Sequence, residues 1–280
     1  MFINGKFTPP QSRKYFDTIN PAREARLASV AEAGSADVDT AVKAARQAYD
    51  KVWSKMPPRE RGKYIYRIAR LMQERARELA VIESMNGGMA AWKIAPALAC
   101  GNTVVLKPAE TTPLTALKLA EIIRDADLPP GVVNIITGAG ATGAALVNHP
   151  GVDKIAFTGS TDVGKIIQKA LAGTSKKYTL ELGGKAANII FEDAALDQAV
   201  EGIINGIFFN QGHVCCAGSR LFVQESVAEV VMRKLKDRME TLIVGDPLDK
   251  NTDIGAINSR EQLNKIKALV KIGVNEGGNC

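Results

Sequence analysis

The sequence predicts an α/β protein organised around parallel strands, and three observations carry that prediction. From Met89 onward, short β-branched segments alternate with amphipathic helical ones, the pattern of strand–crossover–strand units. Glycine-containing turns follow several of these strands, at the carboxyl ends where such sheets bind ligands. Apolar residues fill 46% of 280 positions and charged residues 24%. That balance is globular and supplies enough apolar surface for sizeable cores.

Taken in order, Met1-Phe2-Ile3-Asn4-Gly5-Lys6-Phe7 reads as a hairpin, and Thr18-Ile19-Asn20-Pro21 as a strand entering a turn. A helix starting near Ser35, with the Ser35 hydroxyl as its cap, places Val38, Ala41, Val42 and Ala45 on one face. A longer helix from about Pro58 to Met85 spaces Ile65, Ile68, Leu71, Leu79 and Ile82 helically and stops at Asn86-Gly87-Gly88. Helices are then expected at Ala90–Ala99, Pro113–Asp125, Thr142–Asn148 and Asp162–Leu171. The intervening strands are Thr103–Leu106, Val132–Ile136, Lys154–Phe157 and Tyr178–Leu182. Beyond Gly183 the sequence reads strand (Ala187–Phe191), helix (Leu196 to about Phe209), a cysteine-bearing loop, strand (Ser219–Gln224), and helices Ser226–Leu242 and Arg260–Ile272.

Several function classes are excluded at this level. No apolar run reaches the roughly 18 residues of a membrane span, and the N-terminus lacks a secretory apolar stretch. The net charge of +6 comes from scattered basic residues interleaved with acids, not the cluster that nucleic acid requires. Two histidines exclude a multi-histidine metal site, so no metal is expected. Cys100, Cys215, Cys216 and Cys280 form no disulfide framework, which suits a reducing, cytoplasmic setting.

The chemistry-bearing candidates cluster after strands. In Asn210-Gln211-Gly212-His213-Val214-Cys215-Cys216-Ala217-Gly218, small neighbours would expose a thiolate nucleophile. The same pair reads equally as two buried small hydrophobes. His213 reads either as a base, whose side chain two residues before Cys215 need not reach the sulfur, or as a satisfied surface histidine. Glu181, in Thr179-Leu180-Glu181-Leu182-Gly183-Gly184-Lys185, is either a buried carboxylate suited to general-base work or a strand-end acid meeting water or Lys185. Gly138-Ala139-Gly140-Ala141-Thr142-Gly143 matches GxGxxG formally, yet follows a middle strand and reads equally as a tight turn. Phe157-Thr158-Gly159-Ser160-Thr161-Asp162-Val163-Gly164 would offer helix-start amides to phosphate, or a simple cap through Ser160 or Thr161. Lys107 and Glu110 end a strand as either a grip on a ribose diol or a solvated ion pair.

Together these motifs closely resemble the NAD(P)-dependent aldehyde dehydrogenase superfamily over nearly the whole chain, most specifically at Leu180–Lys185 and Phe208–Arg220. The resemblance implies oxidation of a small-molecule aldehyde to a carboxylic acid through a cysteine thiohemiacetal and thioester. By motif position Cys215 matches the nucleophile and Glu181 the activating glutamate. Lys107 and Glu110 match contacts to the adenosine ribose of NAD, with NADP possible but disfavoured by the Glu110 charge. Ser160 matches the pyrophosphate site. Gly140, Gly159, Thr161, Asp162, Val163, Gly164 and Leu182 complete the expected cofactor set.

The resemblance also implies a fold: a parallel-sheet dinucleotide-binding domain plus part of an α/β catalytic domain. The expected division is N-terminal hairpin and helices at 1–88, coenzyme-binding residues at 89–182, and a partial catalytic domain at 183–280. Against the family pattern, several dozen residues are missing after Gly88. They include the first strand of the dinucleotide domain and an asparagine that donates to the oxyanion, a loss worth about 10²–10³ in rate. The family pattern also continues beyond Cys280, so its homo-oligomer interfaces are largely missing here. His213 stands where glutamine is usual. Two readings follow: an aldehyde dehydrogenase, or a non-catalytic remnant that binds nucleotide weakly or pairs with a full-length partner.

Overall fold

The computed structural model describes residues 1–86 and 91–279. They form two compact units, Met1–Ala156 with Ile167–Thr179, and Phe157–Ile166 with Leu180–Cys280. The first unit holds most of both the 1–88 and the 89–182 segments. The expected junction at Gly88-Met89 lies outside the described residues.

The first unit begins with the expected hairpin, β1 (Phe2–Ile3) and β2 (Lys6–Phe7). Its turn has Asn4 at φ 50° and Gly5 at φ 77°, the doubly left-handed geometry that matches strand twist. Strands β3 (Tyr15–Asn20) and β4 (Ala25–Ala31) pair as a separate antiparallel ribbon. Helix α1 (Ser35–Lys51) buries Val38, Ala41, Val42, Ala45 and Ala48 as its spacing requires. Its cap is not the Ser35 hydroxyl. Gly34 holds the capping position and donates its N–H to the Asp37 carboxylate at 2.9 Å, which also accepts from Gln11 N at 3.1 Å. An acid in the first turn complements the helix dipole as well, and it displaces the weaker hydroxyl.

The single long helix expected at 58–85 is two, α2 (Pro58–Glu74) and α3 (Ala76–Asn86). They break at Arg75, at φ −102° and ψ 19°, where no glycine or proline marks the sequence. The Arg75 guanidinium pairs instead with Asp125, so a tertiary contact fixes the break. Next come α4 (Ala91–Ala99), β5 (Val104–Leu106), α5 (Leu114–Asp125), β6 (Val133–Ile135) and α6 (Gly140–Asn148).

Strands β5 and β6 are parallel, but β1 joins β6 antiparallel through Phe2↔Ile135, giving the order β2-β1-β6-β5. The sheet is therefore mixed rather than purely parallel. The cause is apolar burial: Phe2 is 1% exposed among Ile94, Leu98, Ile123 and Val133, so the hairpin fills what would be an open edge. At the other edge β5 remains half-buried.

Strands β7 (Lys154–Gly159) and β8 (Lys177–Leu182) form a two-stranded sheet, with α7 (Thr161–Leu171) between them in sequence. In the second unit β9 (Ala187–Ile190) and β10 (Arg220–Val223) pair in parallel. Helices α8 (Leu196–Phe208) and α9 (Glu225–Met239) cover one face with a core of Ile190, Val200, Ile203, Ile204, Val231 and Leu235. On the other face the paired residues Ile189 and Phe222 are 60% and 52% exposed. Helix α10 (Arg260–Asn275) buries no residue. Among the described residues no helix is long and apolar enough to cross a membrane.

Because Phe2 is the apolar contact that fastens the hairpin to β6, Phe2→Ala is expected to lower stability by about 3–5 kcal/mol. Urea unfolding should show the midpoint falling with the slope unchanged; an unaltered midpoint would refute this role.

Candidate active site

The cysteine loop is built by backbone geometry. After α8 ends, Asn210, Gln211 and Gly212 take φ of 51°, 55° and 74°. Three successive left-handed residues reverse the chain sharply, and two of them bear side chains that resist this conformation. At Gly212 a Cβ would stand 3.2 Å from the Ile207 carbonyl oxygen, so glycine suits that position. His213 N donates to Asn210 O at 2.9 Å, and Ala217 N donates to Val214 O at 3.0 Å. The second bond closes a turn across Cys215 and Cys216, and both are exposed. They are not the buried small hydrophobes of the alternative reading.

Two contacts anchor this loop. Gly218 N donates to Gly206 O at 3.3 Å, and Asn188 Nδ2 of β9 donates to Gly218 O at 3.1 Å. The importance of Asn188 is not readable from sequence, where it is one polar residue in an apolar strand. His213 is corrected from a satisfied surface residue. It is half-buried, its Nε2 is enclosed without a hydrogen-bond partner, and burial holds its pKa below the ordinary value.

Glu181 lies near the end of β8 and is exposed, not buried. Among the described residues strand β8 pairs with β7 alone and is largely exposed. The Lys185 ammonium turns to Gly184 O at 3.1 Å instead. The double glycine nevertheless meets the thiol loop: a Cβ on Gly184 would stand 3.6 Å from the Cys215 carbonyl oxygen. The β8 end and the cysteine loop are thus neighbours in one unit.

The cofactor candidates divide between the units. In the first, Lys107 follows β5, with its ammonium donating to Pro108 O at 2.8 Å and Gly138 O at 3.0 Å, and 3.7 Å from Glu110. Its side chain is 19% exposed against 50% for Glu110, so this is not a freely solvated pair. Burial pushes the Lys107 pKa down, and Glu110 opposes that shift. Gly140 opens α6 with open space where a Cβ would be, while Gly143 faces the Lys107 stem at 3.6 Å. Thr142 is buried and donates to Ala33 O at 2.6 Å, making this segment a tight structural turn as well.

In the second unit Ser160 Oγ accepts from Val163 N at 3.3 Å, the capping alternative. Thr161, Asp162 and Val163 form the exposed first turn of α7. Gly164 is buried, and a Cβ there would stand 2.7 Å from Leu182 Cδ2. Gly159 is exposed, and a Cβ there would meet the Phe157 ring at 2.4 Å.

At Gly218 an added Cβ would fall 2.2 Å from Asn188 Nδ2, on the very amide that anchors the loop. Gly218→Ala is therefore expected to destabilise the second unit by about 1–3 kcal/mol. Thermal unfolding should register the loss, and an unchanged transition would show that the anchor is dispensable.

Comparison with known proteins gives one answer. The model of the aldehyde dehydrogenase family matches residues 7–90 and 87–280. Retinal dehydrogenase 2 of Homo sapiens is 42% identical over 344 positions, which take in 99% of this chain and 66% of that protein. An aldehyde dehydrogenase of Davidiella tassiana is 40% identical over 340 positions, 99% of this chain and 68% of its own length. The NAD+ complex structure of aldehyde dehydrogenase from Bacillus cereus superposes with a TM-score of 0.95 at 37% identity, covering 99% of this chain and 70% of that one. Betaine aldehyde dehydrogenase of Staphylococcus aureus, solved with NAD+, gives 0.94 at 31% identity, covering 99% and 69%.

The chain spans just under two-thirds of the human retinal dehydrogenase. That alignment has 344 positions and this chain has 280 residues, so at least 64 of those positions have no counterpart here. The family model is matched in two segments that meet at residues 87–90, where the sequence pattern places the internal deletion. Because the family model matches residues 7–90 and 87–280 of its 280 residues, this chain belongs to the aldehyde dehydrogenase family.

Proposed function

We propose that the chain oxidises an aldehyde to a carboxylic acid with NAD, with Cys215 as nucleophile and Glu181 as general base. The observation that carries this reading is the exposed Cys215 loop lying against Gly184, three residues past Glu181. Attack by the Cys215 thiolate on the carbonyl carbon forms a C–S bond and a thiohemiacetal oxyanion, stabilised by the Cys215 backbone N–H. NAD, when bound, supplies a two-electron hydride acceptor for the C–H bond that breaks as this adduct becomes a thioester. Glu181 then takes a proton from water, whose oxygen attacks the thioester and expels the Cys215 thiolate. Exposure leaves the Glu181 carboxylate accessible to that water.

The residues present fit the cofactor. Lys107 and Glu110, a donor and an acceptor 3.7 Å apart, suit the two hydroxyls of an adenosine ribose. The Glu110 charge would repel a 2′-phosphate, favouring NAD over NADP. Ser160, with Gly159, Thr161, Asp162, Val163 and Gly164 around the α7 start, is assigned to the pyrophosphate, and Gly140 stays in the cofactor set without that role. Leu182 is assigned to the nicotinamide side, and a cytoplasmic location accompanies this reading.

A second reading has its own support. The bare Ile189–Phe222 face and the unmatched positions favour a remnant that binds nucleotide weakly or pairs with a full-length relative. Parallel strands are normally covered on both faces.

Absorbance of reduced cofactor, followed with NAD and short aliphatic aldehydes, separates the two. On the first reading the purified chain turns over, Cys215→Ala abolishes the rate, and Glu181→Gln lowers it by about 10²–10⁴. No turnover from soluble, folded wild-type protein across several aldehydes would leave only the second reading.

A further inference from the structure

We propose that His213 is a positioning residue for Cys215: its neutral imidazole, enclosed within the loop, holds the two turns in the form that presents the thiol, and a proton on that ring releases them. This rests on the reading of Cys215 as the nucleophile, though its test does not require turnover.

His213 joins the two turns that shape the loop. Its N–H closes the left-handed turn onto Asn210 O at 2.9 Å, and its carbonyl accepts from Asn210 Nδ2 at 3.5 Å. The next residue, Val214, accepts the bond from Ala217 N that closes the turn over Cys215 and Cys216. Any movement of the ring that displaces its backbone therefore disturbs both turns. The ring is fixed in an unusual way, with Nε2 shut from solvent and lacking a partner. A neutral ring tolerates that enclosure at a modest cost, whereas an imidazolium would be a buried charge with an unsatisfied donor.

Among the described residues no charged group hydrogen-bonds the His213 Nε2. Lys185 and Arg220 are cations, donating to Gly184 O and Lys185 O. Asp246, Asp249 and Asp253 each accept a backbone N–H of their own segment, from Leu248, Asn251 and Ile243. Lys250 is exposed. Burial alone displaces the His213 pKa, downward from 6.5. The closed loop consequently binds fewer protons than the open one. Its stability is fully present above about pH 6.5 and is lost as pH falls below that value. A glutamine there would keep a donor and an acceptor but could not titrate.

The test labels Cys215 with dithiodipyridine in a Cys100→Ser, Cys216→Ser, Cys280→Ser background, with rates corrected for the thiolate fraction. At pH 8 the background protein and its His213→Gln variant should react within about twofold of each other, and His213→Ala at least about threefold more slowly. Between pH 7 and pH 5 the corrected rate should fall at least about threefold with His213 and stay flat with glutamine. Because the chain has two histidines, a His149→Gln variant assigns the His213 ring signal in proton NMR. Its titration should fall below 6.5, coincident with the labelling step. Superposable His213 and His213→Gln profiles, or an ordinary His213 titration, would overturn the proposal. Absence of aldehyde turnover would not, so this test and that of the oxidation stand apart.

Discussion

A central strand of a parallel sheet is paired on both edges and buried on both faces, and in this chain β6 is held in that way. All three of its residues are buried, with β1 on one edge and β5 on the other. Even Asn134, fully enclosed, is satisfied: its amide donates to Gly131 O at 2.8 Å and its oxygen accepts from Asn4 N at 2.9 Å. That side chain therefore clamps the hairpin turn to the sheet. Immediately beyond β6, Thr137 accepts the Ala33 N–H through its carbonyl and donates its hydroxyl to Ala31 O. One strand thus fixes the hairpin, the end of β4 and the approach to α1. It also fixes Gly138, whose carbonyl receives the Lys107 ammonium.

The second unit reaches that arrangement only in part. Its parallel pair β9–β10 has α8 and α9 over one face, and leaves Ile189 and Phe222 uncovered on the other. Its organisation depends instead on local devices around the cysteine loop: three left-handed residues, a glycine at each close approach, and Asn188 reaching from β9 to Gly218. These devices keep two thiols exposed in a definite geometry without a large core behind them. They also explain why one unpartnered imidazole nitrogen matters, since few other contacts hold the loop.

Much of this was legible in the sequence. The alternation after Met89 located nearly every helix and strand, because period-two and period-3.6 burial patterns are local properties. The cysteine loop and the Leu180–Lys185 segment identified the family for a related reason: close backbone approach restricts which residues can stand there. Less visible were features set by distant partners. Asp37 rather than Ser35 caps α1, Arg75 breaks a helix through Asp125, and β1 enters the sheet antiparallel.

Element order, the apolar faces and the residue types of the cysteine loop and of Leu180–Lys185 follow from the amino-acid sequence, since each depends on neighbours within a few positions. Which groups are withdrawn from water is set by contacts between distant segments. Glu181, in an apolar run, lies exposed on β8, which among the described residues pairs with β7 alone, whereas Lys107, at a polar strand end, is largely enclosed. The Nε2 of His213 is enclosed too, although the residue stands half-buried in a glycine-rich loop. Burial depends on what the remainder of the chain brings over a residue, and no local pattern contains that information.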